Sequence, residues 1–465
     1  MLATIALAAA LLHAHPAPSL QDAAEAPQET VAPLGELAEG CALAADTGFK
    51  SPDRLPLRVR WSSDGSLAAY IGFRGEGGAE RVPVVQRAGE EPLVGDVYDF
   101  VDPPTIAADV PRVAFRVGNT VSKKQERWWV WLDGEPKCGE DWLGAVALSP
   151  DGARIAYWAQ PGAKLEASGA YAQKPLVLRV HDASKKNRKA KRPRLWDDAR
   201  ALEAPVFTRD SERVFGLALE DGRWYAVGRG RKGFETIGEG TLSAADLQVA
   251  KGGKVLVFSA LTQQLIAGVN QQGHHVVVAG EVVPTQHVRT GYGSPTPDGK
   301  RLAHAFMSFA GVMGVTIEDG KGKPPGFDHV GRAAWDPKGT RVAFASVTRS
   351  GGVDGEALTL KGAFEPRGGE WRLTQWTRRG KEHTSTDAFE RVRDPVYAPK
   401  GDRVAVRALD EKGWRAVVFD LDGAVVARGP AHAEVGLPRF TADGAAVVYG
   451  VRDERALGWA TLALP

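Results

Sequence analysis

Apolar positions along the chain fall into short alternating runs, each announced by a small polar turn. Arg154-Ile155-Ala156-Tyr157-Trp158 alternates after Ser149-Pro150-Asp151-Gly152, and the same phrase recurs around Asp64-Gly65, Asp298-Gly299, Lys338-Gly339, Lys400-Gly401 and Asp443-Gly444. Weaker copies stand at Asp109, at Asp210-Ser211 and at Gly252-Gly253, which makes nine. Period-two alternation predicts half-buried strands, and the Asp-Gly or Lys-Gly pair supplies the positive-φ position that a tight hairpin needs. A third strand follows each pair, as in Arg127-Trp128-Trp129-Val130-Trp131-Leu132, and several of these end in a second turn, Asp133-Gly134, Asp319-Gly320 or Asp422-Gly423. A weaker fourth segment closes the unit. No comparable helical periodicity is present.

Copies lie about 40 to 47 residues apart, with two longer gaps of about 60 after the third and seventh. Four short strands in such a unit describe a β-propeller blade: one twisted sheet cannot bury both faces, and stacking sheets around an axis covers them. The expected fold is therefore all-β, a propeller of four-stranded antiparallel blades. Eight or nine blades are expected, with seven as the lower alternative. Trp128 and Trp158 are expected between blades. Propellers often close by pairing the two ends of the chain. The last copy stops short of a fourth strand, so residues 40–54 are expected to supply it, within a propeller spanning 40–465.

The phrase Ser-Pro-Asp-Gly followed by Ala156-Tyr157, and Pro297-Asp298-Gly299 followed by Ala303, resembles the WD-repeat-like propeller family typified by the TolB C-terminal domain. The likeness covers about Leu55 to Pro465. It implies a bacterial propeller fold and an exported, protein- or peptide-binding role; propellers of this kind serve many functions, so it says little about chemistry.

Ahead of the repeats, Leu2 to Leu12 is an apolar run of signal-peptide length, with small residues at Ala14 and Ala17, although Lys and Arg are missing before it. Residues 1–17 are read as an export signal, which places the chain in the periplasm or outside the cell; the alternative is a start with no structure. Residues 18–39, rich in Ala, Pro and Glu, are read as a disordered linker. No other run reaches the length of a membrane span.

The bulk numbers add exclusions. The chain has 465 residues, 43% hydrophobic and 25% charged, with a net charge of +2. That balance gives no global field for nucleic acid or an anionic membrane. One local exception is the Lys185–Arg194 segment, where Lys185, Lys186, Arg188, Lys189, Lys191, Arg192 and Arg194 form a candidate anion-binding loop or a solvated one. The two cysteines, Cys41 and Cys138, would tie the N-terminal segment to the ring if joined; otherwise they are buried thiols.

Catalytic and cofactor motifs are missing: no Gly-x-Ser-x-Gly elbow, no Gly-rich phosphate loop, no His-Glu-x-x-His helix. No cofactor or metal is expected. The recurring Asp64, Asp151, Asp298 and Asp443 read as turn residues, and Asp420-Leu421-Asp422-Gly423 lacks the later ligands of a calcium loop. His274 and His275 point to opposite faces of a strand, His304 is expected between blades and His383 in a loop. Trp371 and Trp376 are expected on opposite faces of one strand. The favoured function is a non-catalytic exported propeller that binds an envelope or secreted protein or peptide. The alternative is a lyase or glycoside hydrolase with its site at the axial mouth, marked by carboxylates, His or Arg converging there with shifted pKa values.

Overall fold

A computed structural model describes residues 28–43, 59–122, 125–163, 176–183, 204–230, 233–266, 268–348 and 368–465. Nine antiparallel sheets follow one another along the chain as the blades of a propeller. Blade 1 runs from Arg60–Trp61 to Leu93–Val94, blade 2 from Phe100–Val101 to Glu135–Glu140, and blade 3 from Leu143–Leu148 to Val177–Asp182. Blade 4 starts at Val206–Phe207, blade 5 at Ala244–Ala250, blade 6 at Arg289–Pro295, blade 7 at His329–Val330 and blade 8 at Arg391–Tyr397. Blade 9 starts at Glu434–Val435. Helix is confined, among the described residues, to two single 3₁₀ turns, and no helix is long and apolar enough to cross a membrane.

Blade 6 departs from the four-stranded expectation. After its third strand, Met313–Ile317, the chain passes through Lys323-Pro324-Pro325-Gly326 without forming a ladder. Proline lacks the N–H that a fourth strand would have to donate. Blade 3 likewise shows three strands among the described residues.

The recurring turn is a small hydrogen-bonded device. The Ser or Thr hydroxyl donates to the Asp two residues on: Ser62 to Asp64 at 2.6 Å, Thr296 to Asp298 at 2.6 Å, Thr441 to Asp443 at 2.6 Å. The same carboxylate accepts a backbone N–H beyond the Gly, for example Ala153 at 3.0 Å from Asp151. Gly152 and Gly299 have φ of 68° and 66°, and Ser211 adopts φ 62° where the fourth copy lacks the glycine. Ser211 compensates by accepting the Asp151 N–H at 3.0 Å, joining blades 3 and 4. Where Lys338 replaces the Asp, Asp336 replaces the Ser/Thr and accepts the N–H groups of Thr340 and Arg341 itself. Asp in this motif is thus a turn residue, as expected.

Nine hydrophobic clusters fill the nine seams between blades. Trp128 and Trp158 are buried in the seams after blades 2 and 3. Trp376 packs toward blade 6 and Trp371 toward blade 8, the two faces expected from their spacing. Indoles lie flat on glycine. A Cβ on Gly216 would stand 2.7 Å from Trp158, and one on Gly450 would stand 2.0 Å from Trp61.

A second device crosses the same seams. An Arg five residues after the Ser/Thr position donates to a carbonyl of the following blade's turn. Arg112 reaches Gly152 O at 3.0 Å, Arg154 reaches Glu212 O at 3.1 Å, Arg213 reaches Gly253 O at 3.3 Å and Arg301 reaches Gly339 O at 2.6 Å. These partly solvated bonds each contribute about 0.5–1.5 kcal/mol.

The ring is closed by the N-terminal segment, at a place other than expected. Glu29–Glu36 pairs antiparallel with Ala456–Ala463 as the outermost strand of blade 9, inside the stretch read as linker. Residues 44–54 of the expected closing segment lie outside the described residues, as does the whole candidate signal, 1–17. Composition hid the strand because it is an edge. Leu34 is its one buried apolar side chain, and main-chain bonds do the holding. Three further contacts fasten it. Arg455 donates to the carbonyls of Leu37, Ala38 and Cys41. Tyr449 Oη donates to Glu29, and the His432 ring bridges Glu29 Oε1 at 2.9 Å and Asp453 Oδ2 at 2.6 Å.

No disulfide joins Cys41 to Cys138, and both thiols are buried, the second of the two readings. Cys41 is buried at the seam of blades 9 and 1, within 3.2 Å of Arg74 Nε, while Cys138 is buried between blades 2 and 3. Two separate seams keep the thiols apart, and the closing strand already supplies the anchor that a bridge would give.

Candidate functional site

Consecutive strands of a blade run antiparallel. The Asp-Gly turns and the connections to the outermost strand therefore lie at one end of the ring. The hairpins between second and third strands, and the crossings between blades, lie at the other. The innermost strands line the axis, so the side chains they turn inward define the axial channel.

Four of these strands carry a bulge about four residues before the Ser/Thr position, and in three of them a non-glycine residue there is left-handed. Asp246, Tyr292 and Asp394 sit in them with φ of 63°, 51° and 52°. A bulge with a left-handed residue re-aims its side chain, and for tyrosine that conformation is costly. Contacts that skip a blade show where these groups point. Arg332 of blade 7 pairs with Asp246 of blade 5 and donates to Gly293 O of blade 6 at 3.2 Å on the way. Arg209 of blade 4 pairs with Asp109 of blade 2 at 2.7 Å. Arg60 of blade 1 lies within electrostatic reach of Asp394 and Arg407 of blade 8. Such reaches pass over the inner face of the intervening blade. Arg439 of blade 9 senses Arg209 and Asp109 past blade 1, at the end that carries the Asp-Gly turns.

The channel is thus charged, and its charges are unevenly spent. Arg407 gives Nε to Asp394 at 2.7 Å and Nη1 to Val435 O at 3.0 Å, and it lies over the Trp414 ring. Desolvation by the surrounding channel wall and the neighbouring Arg407 lower the pKa of the solvent-reached Arg60; desolvation and Arg209 do the same for Arg439. Burial raises the pKa of Asp246 against the pull of Arg332.

The hairpin end has a different character. Of the eight large apolar side chains exposed among the described residues, five lie there: Val97, Val121, Leu242, Phe309 and Val312. Phe309 and Val121 are each 61% exposed, at the hairpin tips of blades 6 and 2.

Histidines gather between blades 5 and 6. His304 is buried, and burial with the nearby His287 and His275 pushes its pKa down to about 4. His275 is also buried, with Nδ1 2.8 Å from Thr262, while His274 on the opposite face is half-buried. His383 lies in the short strand Glu382–Thr384 instead of a loop. Among the described residues no group of three or more His, Cys, Asp or Glu is placed to hold a metal. Asp420 accepts the N–H groups of Asp422 and Ala424, closing a hairpin. Lys185, Lys186, Arg188, Lys189, Lys191, Arg192 and Arg194 lie outside the described residues.

Sequence reasoning missed the channel groups. The signal was available once the copies are aligned on their turns. Two residues before the Ser/Thr position stand Thr105, Ala147, Val206, Gln248, Ser294, Ala334 and Val396, all uncharged, whereas blades 9 and 1 place Arg439 and Arg60 there.

No family model matches the chain, and no curated protein matches it. Among solved structures it is similar to a eukaryotic initiation factor at 10% identity and TM-score 0.45, covering 84% of this chain and 89% of that one. It is similar to TolB from Acinetobacter baumannii at 12% identity and TM-score 0.28, covering 78% and 76%. It is also similar to an oligogalacturonate lyase in complex with manganese, at 11% identity and TM-score 0.35, covering 79% and 96%. At these scores the blade count rests on the nine sheets and seams of the chain itself.

Proposed function

We propose that this protein is an exported, non-catalytic propeller that binds a protein or peptide through the hairpin end of its ring. The observation that carries the reading is the segregation of exposed apolar side chains. Val97, Val121, Leu242, Phe309 and Val312 share one end, while the other presents hydrogen-bonded polar turns. Exposed aromatic and aliphatic groups set among polar loops are what a protein interface buries. A periplasmic or secreted location follows from the signal-like N-terminus, and the TolB-like turn phrase agrees with it. The test is capture from envelope and secreted fractions by a chain carrying a photo-crosslinker at Ala310, next to Phe309 on the exposed hairpin tip. One protein, captured reproducibly and lost in a Phe309→Ser/Val121→Ser variant but kept in a Lys338→Ser/Lys400→Ser variant at the opposite end, supports the reading. Capture that ignores both pairs of changes sinks it.

One observation favours the alternative, a lyase or glycoside hydrolase at the channel mouth. Asp246 combines a strained bulge, a raised pKa and a guanidinium partner beside Tyr292. Asp246→Asn in a chain shown to depolymerise a glycan would decide it by abolishing turnover.

A further inference from the structure

The two charged side chains that stand two residues before the Ser/Thr position are both arginines, on neighbouring blades across the ring's closure. Blades 9 and 1 meet where Trp61 lies over Gly436 and Gly450, so Arg439 and Arg60 occupy the same level of adjacent inner strands. Solvent reaches both: Arg60 is exposed and Arg439 half-buried. Among the described residues neither has a hydrogen-bond or ion-pair partner, although each lies near a carboxylate. Those carboxylates are already committed, Asp394 to Arg407 and Asp109 to Arg209. Arg60 faces the Arg407–Asp394 pair and Arg439 the Arg209–Asp109 pair, so beside each of the two guanidiniums the nearby carboxylate is already committed and one positive charge stays unmatched. Holding unpaired guanidiniums close to their own kind costs free energy, and that cost is relieved when an anion arrives.

We propose that Arg60 and Arg439 form an anion-binding site on the wall of the axial channel that takes carboxylates of an acidic peptide segment. The proposal rests on the protein-binding reading and names the chemistry of what that partner inserts. The planar fork of a guanidinium matches a carboxylate in two-bond contact. Two forks on separate strands suit carboxylates spaced along a chain better than one phosphate. Arg407, held by Asp394, Val435 O and the Trp414 face, is a fixed positive wall behind the site. Arg209, paired with Asp109, guards the turn end.

The experiment is fluorescence anisotropy of labelled hexaglutamate with the full chain, in wild type, Arg60→Gln, Arg439→Gln, the double variant and a Lys412→Gln control on an exposed hairpin. The expected result is about tenfold weaker binding in the double variant, a smaller loss in each single variant, no loss in the control and no binding of hexalysine. Thermal unfolding checks that the variants are folded; removing unpaired like charges leaves the midpoint equal or higher. Equal binding by wild type and the double variant overturns the site, as does an equal loss in the control. Displacement of the peptide by inorganic phosphate well below 1 mM overturns the peptide assignment in favour of a free oxyanion. Partner capture through the crosslinker at Ala310 is read separately on the double variant. If capture persists while hexaglutamate never binds, the anion site falls and the rim reading stands. If hexaglutamate binds and no rim-dependent partner exists, the rim reading falls.

Discussion

One of the contacts that fasten the closing strand is an imidazole, and that makes ring closure depend on pH in a direction that can be worked out. His432 is buried between Glu29 of the N-terminal strand and Asp453 of the adjoining hairpin, with side-chain exposures of 8%, 4% and 54% respectively. Burial alone would lower its pKa, but the hydrogen bonds to Glu29 and Asp453 outweigh burial and raise it. Tyr449 faces Glu29 from the same blade, its hydroxyl also held protonated by burial and by that carboxylate. A histidine whose folded pKa exceeds the unfolded value of about 6.5 stabilises fully below that value, and the contribution is lost as pH rises through the folded pKa. The buried bond to Glu29 at about 1.5–3 kcal/mol and the solvent-screened one to Asp453 at under about 1 kcal/mol, less the cost of ordering and desolvation, put the clasp at about 2 kcal/mol. That is a large share of a typical folding free energy of about 5–15 kcal/mol.

The perturbation is His432→Gln, which keeps a polar side chain of similar reach and removes the charge. The assay is urea unfolding of both proteins from pH 5.5 to 9. The difference in stability is expected to be largest below about pH 6.5 and to shrink as pH rises through the folded pKa. Taking the difference matters because the buried histidines of blades 5 and 6 act the other way. His304, His275 and His287 have lowered pKa values, so their contribution is present above about pH 6.5 and lost on acidification. They are common to both proteins and cancel. A difference constant across the range refutes a charged clasp, and no difference refutes the clasp altogether. Glu29→Gln, alone and with His432→Gln, closes a double-mutant cycle in which a coupling near zero has the same meaning.

Three other outcomes follow from the packing. Gly450→Ala places a methyl group 2.0 Å from the Trp61 ring at the seam of blades 9 and 1, and thermal unfolding is expected to show a loss of about 1–3 kcal/mol; an unchanged midpoint would mean the indole moves without cost. Arg154→Ala removes the solvent-exposed bond to Glu212 O between blades 3 and 4, with an expected loss of about 0.5–1 kcal/mol that Arg154→Lys only partly restores. A chain beginning at Gln28 keeps the closing strand and is expected to unfold cooperatively like the full chain, whereas one beginning at Leu37 leaves Ala456–Ala463 as an open edge and is expected to aggregate.

What the chain reveals before folding, and what it hides, divides along a physical line. Blades were legible because the turn that makes each one is local. Ser149, Asp151 and Gly152 bond one another within a few residues, so the same letters recur wherever the same geometry recurs. Trp371 and Trp376 were legible because strand alternation alone sends them to opposite seams. The closing strand was not, because Glu29–Glu36 owes its place to main-chain pairing with residues more than four hundred positions away and buries only one apolar side chain, Leu34. Arg154 and its equivalents were not, because their partners are backbone carbonyls that carry no residue signature. Arg60 and Arg439 lie between these cases. Each is unremarked within its own repeat, and the pair exists only because the ring closes and brings the first blade against the last. The same closure that His432 helps fasten therefore assembles the anion site. Weakening the clasp should lower hexaglutamate affinity at high pH more than at low pH in wild type, and abolish that pH dependence in His432→Gln. Affinity that tracks pH identically in both proteins would separate the site from the closure and refute the link between them.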